Sequence, residues 1–205
     1  MIEQVPSEKI VAFQDSCHQI ENWAKAAPAR HSTGFWQVVE LNHRHNCLLW
    51  DEEDLARRVR VADAAIAANK RAIDGYNQKR NDAIERMDEV MLGALAGVRR
   101  MPGARLNSET AGSIIDRLSI LSLKIHHMRL QTMRTDVDRA HIENCTARLF
   151  RFLEQRQDLA GCLDRLLAEA ARGEGWFKVY RQFKMYNDPN LNPAVYGEAL
   201  ASKSD

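Results

Sequence analysis

The chain has 205 residues, of which 45% are hydrophobic and 28% are charged, the balance of an ordinary globular protein. This length favours one large domain over two small ones. The 29 basic and 28 acidic residues give a net charge of +1, so no strong field would attract nucleic acid or an anionic membrane. With 10 glycines and 5 prolines, the chain is neither collagen-like nor a turn-rich all-β protein.

Membrane spans and export signals are not predicted. No segment approaches the 18 or so uncharged apolar residues of a transmembrane helix, so we expect no membrane insertion. The N-terminal string MIEQVPSEKIVAFQDSCHQIENW carries charges where a signal peptide has its apolar segment, which predicts a cytoplasmic protein. The four cysteines lie in helical patterns without a C-x-x-C pair and are expected to be free thiols. They are Cys17, Cys47, Cys145 and Cys162.

Apolar residues spaced three and four apart predict helices along most of the chain. The first begins at a capping Ser7 and extends towards Ala24, and a loop over residues 26–33 follows. Further helices are predicted for residues 34–58, 62–95, 113–133 and 136–171, and the irregular connection over residues 97–111 is a candidate lid. A short aromatic helix over residues 176–186 comes last. We therefore expect an all-α fold: a single bundle of about five long helices plus a short C-terminal helix over residues 1–196, with a frayed polar tail over residues 197–205.

Two arginines interrupt apolar stripes on different helices. Arg80 lies within the stripe of the third helix, flanked by Asn77 and Asn81, and Arg156 lies within the stripe of the fifth. An unpaired buried charge is costly. Each arginine therefore either extends past its neighbours to water, pairs with an internal carboxylate that fixes helix register, or binds an anionic ligand.

Polar side chains on two other helices are candidates for the same site. The fourth helix is apolar over most of its circumference, which predicts a central position, yet Asp116, Lys124 and His127 fall on one narrow band. Asp116 is the leading candidate partner for one of the two arginines. On the second helix, Asn46 and Trp50 share a face with acidic residues, which is either a solvated face with Glu–Arg pairs or one wall of a pocket.

These side chains together predict a polar pocket that binds a small anionic ligand. Its cations would hold a phosphate, its carboxylates would orient them, and the indole of Trp50 would stack on a sugar or base. We expect Arg80 and Arg156 to face this one pocket. The full candidate set is Asn46, Trp50, Glu53, Asn77, Arg80, Asn81, Asp116, Lys124, His127 and Arg156.

Two alternatives remain open from the residues alone. The first is a Mg²⁺-dependent nucleotide or nucleotide-sugar hydrolase, because acidic pairs on neighbouring helices supply the oxygen ligands that Mg²⁺ requires. Its ligands would be Glu53, Asp54, Glu85 and Asp88. The second is a structural adaptor that binds a protein partner through the aromatic segment from Trp176 to Tyr186, unless those rings dock on the core instead. A di-iron centre is disfavoured because Glu40-x-x-His43 has no second copy, and without a Cys/His quartet no structural metal is expected.

Several long strings resemble a bacterial family known as domain-of-unknown-function family 4254. They are FWQVVELNHRHNCLLWDEEDLARR, KRAIDGYNQKRNDAIERMDE, LNSETAGSIIDRLSILSLKIHHM, EQRQDLAGCLDRLL and KVYRQFKMYNDPNLNP, in that order over about residues 33–196. The resemblance implies an all-helical cytoplasmic protein with no established activity. It also implies a connection with surface-polysaccharide metabolism, because members are often encoded near glycosyltransferases of that pathway. It assigns no catalytic role to any residue here.

Overall fold

The computed structural model describes residues 6–181 and Leu191. Over these residues the chain forms six helices and a pair of two-residue strands, so the predicted all-α bundle is confirmed. The helices are α1 (Ser7–Cys17), α2 (Trp23–Ala26), α3 (Gly34–Ala56), α4 (Asp63–Ala94), α5 (Ala111–Thr132) and α6 (Arg139–Arg172). None of the helices over these residues is both long and apolar enough to cross a membrane.

The four long helices begin and end close to the predicted residues, and local signals set the ends of α5 and α6. Thr110 caps α5 by accepting a hydrogen bond from the Ser113 N–H, and Asp138 caps α6 by accepting one from the His141 N–H. Gly173 ends α6 in the left-handed conformation, with φ 75°.

The first predicted helix is shorter than expected. It ends at Cys17, and the chain then turns through Asn22, whose φ of 51° is left-handed, before the short α2. Ser7 is not the cap. Its backbone N–H and its hydroxyl both donate to Asp164 of α6, at 2.9 and 2.7 Å, which ties the start of α1 to the bundle.

Helix α5 is central, as its apolar circumference predicts. It packs against α1, α3, α4 and α6, and Ile115, Leu118 and Ile125 on it are fully buried. Because α5 is surrounded, any polar side chain on it must find partners on neighbouring helices. The position of this helix therefore determines where polar sites form.

The predicted aromatic helix is not formed over the part of that segment that is described. Gly175–Trp176 form β2, which pairs in parallel with β1 (Arg105–Leu106), and residues 177–181 are not helical. Phe177, which the docking alternative did not name, is fully buried in the core, while Trp176 and Val179 are half-buried. Residues 182–186 and the predicted polar tail lie outside the described residues.

The connection between α4 and α5 is held by the end of α6. The Met101 N–H donates to the Gly173 carbonyl at 2.9 Å, and the Asn107 N–H donates to the Trp176 carbonyl at 2.8 Å. The segment that the sequence offered as a lid is thus hydrogen-bonded at Met101, Arg105 and Asn107 to residues 173–176, directly after α6.

Candidate functional site

A buried polar cluster forms where α3 packs against α5. Asn42 and Asn46 each donate from Nδ2 to Oδ1 of Asp116 at 2.8 Å, and Asn46 Nδ2 also lies 2.9 Å from Ser119 Oγ. All four side chains are buried. The facing turns of α3 and α5 are therefore joined here by hydrogen bonds instead of apolar contacts. These hydrogen bonds hold the Asp116 carboxylate in one position.

Arg80 of α4 faces the same carboxylate. Its Nε lies 3.8 Å from Asp116 Oδ1, so the predicted pairing is present as an ion pair, although that distance is too long for a hydrogen bond. The Nε–H is buried without a hydrogen-bond acceptor, while 27% of the Arg80 side chain is exposed. The guanidinium thus keeps hydrogen-bonding capacity that Asp116 does not use.

Arg80 lines a cavity of about 380 Å³ between α3, α4 and α5, which we call the Trp50 cavity. Its lining is Asn46, Leu49, Trp50, Glu53, Asp54, Arg57, Arg80, Ile120 and Leu123. The indole of Trp50 stacks on His127, with ring centroids 4.5 Å apart and planes 5° from parallel. Its Nε1–H is buried and, like Arg80 Nε, has no acceptor among the described residues.

The charges in the Trp50 cavity are partly paired. Arg57 and Glu53, one turn apart on the surface of α3, lie 3.0 Å from each other. Asp54, also on this stretch, is exposed. The two arginines and two carboxylates of the lining therefore roughly cancel, and hydrogen-bond donors rather than net charge distinguish the cavity.

Arg156 does not join Arg80, in contrast to the prediction. Its Nη1 donates to both oxygens of Asp15 on α1 at 2.8 Å, and it is not part of the Trp50 cavity lining. Sequence reasoning did not consider Asp15, because nothing in the sequence shows that α1 packs beside α6 at this point. The two arginines therefore each have their own carboxylate, on different faces of α5.

Three further predicted residues also lie apart from the Trp50 cavity. Lys124 lines a separate cavity of about 610 Å³ between α5 and α6, where its ammonium lies 5.8 Å from the Phe152 ring centre. Asn77 is half-buried, and Asn81 is buried with its Oδ1 unpartnered. The structure thus brings Asn46, Trp50, Glu53 and Arg80 together at the cavity, with Asp116 and His127 supporting them.

The four carboxylates proposed as Mg²⁺ ligands do not converge among the described residues. Asp88 is buried and accepts a hydrogen bond from the Gly112 N–H at 2.7 Å, and burial raises the pKa of this carboxyl to about 6. Glu85 is bonded to Arg181 at 2.7 Å, and Glu53 pairs with Arg57. Glu53, Glu85 and Asp88 therefore each have a structural partner in place of a shared ion, and Asp54 lies 3.9 Å from the Arg57 guanidinium that Glu53 also contacts.

A second polar group lies beside the first and was missed from the sequence. One candidate ligand atom each of His18, His43 and Cys47 lies within 4.8 Å of the other two. Burial, reinforced by nearby histidines, lowers the pKa of His18 to about 4 and that of His43 to about 3. Burial also raises the pKa of Cys47 well above its usual value. The available signal was His43-x-x-x-Cys47, which places both side chains on one helical face.

A family model described as "Protein of unknown function (DUF4254)" matches residues 36–179, which run from α3 through α6 and include both strands. The chain belongs to the DUF4254 family. The resemblance seen in the sequence strings is thereby confirmed. No curated protein and no solved structure matches the chain.

The region matched by the DUF4254 family model contains all of the Trp50 cavity lining but only part of the group formed by His18, His43 and Cys47. The whole lining of the Trp50 cavity lies within residues 36–179, as do His43 and Cys47. Two residues lie before the matched region: Asp15 is on α1, and His18 directly follows α1. The Trp50 cavity is thus built entirely from the family region, whereas the histidine–cysteine group also needs the N-terminal segment.

Proposed function

We propose that this protein binds a small phosphate-bearing metabolite in the Trp50 cavity. The observation that carries the proposal is that the cavity wall contains two side chains, Trp50 and Arg80, each with a buried N–H donor that has no acceptor within the part of the chain that the structure describes. An unsatisfied buried donor costs about 1–3 kcal/mol. A ligand oxygen that reached either donor would recover that cost, so the cavity favours a ligand rich in acceptors.

The guanidinium of Arg80 selects among acceptor-rich ligands. Asp116 Oδ1 already accepts from two amides and lies 3.8 Å from Arg80, so the guanidinium has no close hydrogen-bonded carboxylate. Arginine presents several N–H groups in a fixed plane, which fits phosphate or carboxylate oxygens. Arg80 is therefore the residue expected to bind the anionic group.

Volume and shape limit the size of the ligand. At about 380 Å³ the cavity lies near the lower end of the roughly 300–1,000 Å³ range of small-molecule sites, which fits a sugar phosphate better than a whole nucleotide sugar. Leu49, Ile120 and Leu123 supply an apolar wall beside the polar donors. A cytoplasmic role in surface-polysaccharide metabolism belongs to this proposal and is supported by the family resemblance alone.

Thermal unfolding with hexose phosphates, inorganic phosphate and uncharged hexoses tests the proposal. A ligand at a hundred times its dissociation constant stabilises the folded state by about 2.7 kcal/mol, which raises the melting temperature by roughly 5–10 °C for a chain of this size. Sugar phosphates should produce this shift, and uncharged hexoses should not. Phosphate release measured in the same samples would show whether a bound compound is hydrolysed.

Variants locate the binding. Arg80→Met and Trp50→Phe remove one donor each while keeping most of the apolar volume, and each should abolish the shift. Arg71→Met is the matched control, because Arg71 is an exposed arginine on the same helix. A shift that survives Arg80→Met, or no shift with any phosphate-bearing compound, would refute the proposed function.

A further inference from the structure

We propose that His18, His43 and Cys47 form a binding site for a divalent transition-metal ion, with zinc as the expected occupant. Two imidazoles and one thiolate are the ligand types that Zn²⁺ prefers, and harder cations such as Mg²⁺ do not use them. This histidine–cysteine site is separate from the Trp50 cavity and does not depend on the function proposed for it. The sequence predicted no structural metal because it lacks a set of four Cys/His ligands. A search for four ligands does not detect a site with three.

The distances are close to those of a tetrahedral site. Zn–N bonds of about 2.0–2.1 Å and Zn–S bonds of about 2.3 Å place ligand atoms roughly 3.3–3.7 Å apart. His43 Nε2 and Cys47 Sγ, one turn apart on α3, are already 3.8 Å from each other. The third ligand atom lies within 4.8 Å of both, so it needs to move by about 1 Å.

Hydrogen bonds orient His18 for this role. Arg156 donates to both oxygens of Asp15, and Asp15 accepts the hydroxyl hydrogen of Ser122 at 2.7 Å. Ser122 has only one hydrogen to donate, so at 3.0 Å its Oγ accepts from the Nε2–H of His18. An imidazole that carries its hydrogen on Nε2 has its lone pair on Nδ1, which is the atom left to bind a metal.

His43 is held in a similar way from α5. Its Nδ1 lies 2.8 Å from Ser119 Oγ, which also accepts from Asn46. When Ser119 accepts from the Nδ1–H as well, the lone pair of His43 is on Nε2, the atom that faces Cys47. Metal-bound histidines usually make such a hydrogen bond through the ring nitrogen that does not bind the ion.

The site has a route to solvent and room for a fourth ligand. A cavity of about 280 Å³ is lined by His18 and Cys47, together with Cys17, Asp51 and His126. Three protein ligands with an open fourth position are typical of zinc sites that bind water or a substrate. His43 itself is fully buried, so an ion would enter from the side of His18 and Cys47.

Binding requires the loss of one proton. The Cys47 S–H bond breaks, its proton goes to solvent, and the sulfur electron pair forms the bond to the metal. The imidazoles contribute lone pairs without releasing protons. The other titratable or charged side chains that influence these three residues are Asp15, Cys17, Arg44, Asp51, His126 and His127.

Cobalt provides a spectroscopic test, because Co²⁺ occupies zinc sites and is coloured. The full-length protein, first treated with a chelator, is titrated with Co²⁺. We expect one equivalent to produce a thiolate-to-cobalt charge-transfer band together with the strong visible bands of tetrahedral coordination. About one proton per ion should be released, and Zn²⁺ should displace the colour.

The chain contains a matched control for this experiment. His141 and Cys145 on α6 have the same spacing, with Sγ 3.4 Å from Nε2, but they belong to no group of three ligands among the described residues. Cys145→Ser should therefore keep the charge-transfer band, and Cys47→Ser should remove it. His18→Gln should lower the affinity at least tenfold, since a ligand is lost, and circular dichroism should show that each variant remains helical.

Two results would overturn the proposal. One is a folded wild-type protein that shows no thiolate band at a stoichiometric concentration of Co²⁺. The other is a band that survives Cys47→Ser or disappears with Cys145→Ser. Arg80→Met should leave the band unchanged, so failure of the metal proposal and failure of the Trp50 cavity proposal are distinguishable.

Discussion

Replacing Asp116 with alanine should destabilise the fold mainly by stranding a buried amide. Asn42 is fully buried, and over residues 6–181 its Nδ2 has no acceptor other than Asp116, whereas Asn46 keeps Ser119. One stranded donor costs about 1–3 kcal/mol. The lost pairing with Arg80 adds at most about 1 kcal/mol, because that guanidinium is partly exposed and 3.8 Å away. We therefore expect a total of about 1–4 kcal/mol.

Asp116→Asn separates the hydrogen bonds from the charge. Its amide oxygen still accepts from Asn42 and Asn46, so we expect a loss of only about 1 kcal/mol. Asp74→Ala is the surface control, because Asp74 is exposed on α4 and forms an i,i+4 pair with Lys70, and it should cost at most about 0.5 kcal/mol. Urea midpoints measured under identical conditions give the three values. Equal losses for Asp116→Ala and Asp116→Asn, or a neutral Asp116→Ala, would contradict the reasoning.

Two further predictions concern acid and packing. Burial holds the pKa of His43 near 3, whereas in the unfolded chain this imidazole has a pKa near 6.5. Below pH 6.5 the unfolded state therefore binds more protons than the folded state, and the folded state loses stability as the pH falls from 6.5 towards 3. For His43 the loss at pH 5 is about 2 kcal/mol relative to pH 7. Asp88 offsets roughly 1 kcal/mol of this loss of stability at pH 5. Its pKa is raised to about 6, so at this pH its carboxyl binds a proton more readily in the folded state than in the unfolded state. The pH 7 to pH 5 change in urea stability, compared between wild type and His43→Gln, isolates the histidine, and no difference would show that the imidazole is not buried in its neutral form. Gly112→Ala should cost about 1–3 kcal/mol because its Cβ would lie 2.5 Å from the Ile84 carbonyl oxygen, whereas Gly75→Ala, with open space, should stabilise by about 0.5–1 kcal/mol. Equal effects in thermal unfolding would contradict this close approach of α4 and α5.

Sequence reasoning succeeded where the signal was local. Thr110, Asp138 and Gly173 set the ends of α5 and α6 through neighbouring residues, so the boundaries of these two helices were predictable to within a few residues. The described part of the predicted aromatic helix was wrong, because the backbone at Gly175–Trp176 pairs with residues about 70 positions earlier, at β1. Aromatic spacing alone does not distinguish that pairing from a helix.

The candidate site was predictable only in part for a related reason. A helical pattern shows that Arg80 and Arg156 interrupt apolar faces, but it does not show which carboxylate meets each one. Asp116 was identified because it lies on the central helix, while Asp15 on the short α1 carried no such signal. His18, like Asp15, carried no signal in the sequence. It lies beside His43 and Cys47 only because α1 packs on α3 and α5.

Ser119 connects the two proposed sites and provides a last test of how they are held. Its Oγ lies 2.9 Å from Asn46 Nδ2, on the side of the Trp50 cavity, and 2.8 Å from His43 Nδ1, on the side of the metal site. In Ser119→Ala, Asn46 still donates to Asp116, so the sugar-phosphate shift should persist. His43 loses the partner that orients it, and removing such a partner typically lowers metal affinity by about 10–100-fold. Ser113→Ala, near the start of the same helix, is the control and should leave Co²⁺ affinity unchanged. If Ser119→Ala bound Co²⁺ as tightly as wild type, Ser119 would not orient His43, and the ion would have to be held without that hydrogen bond.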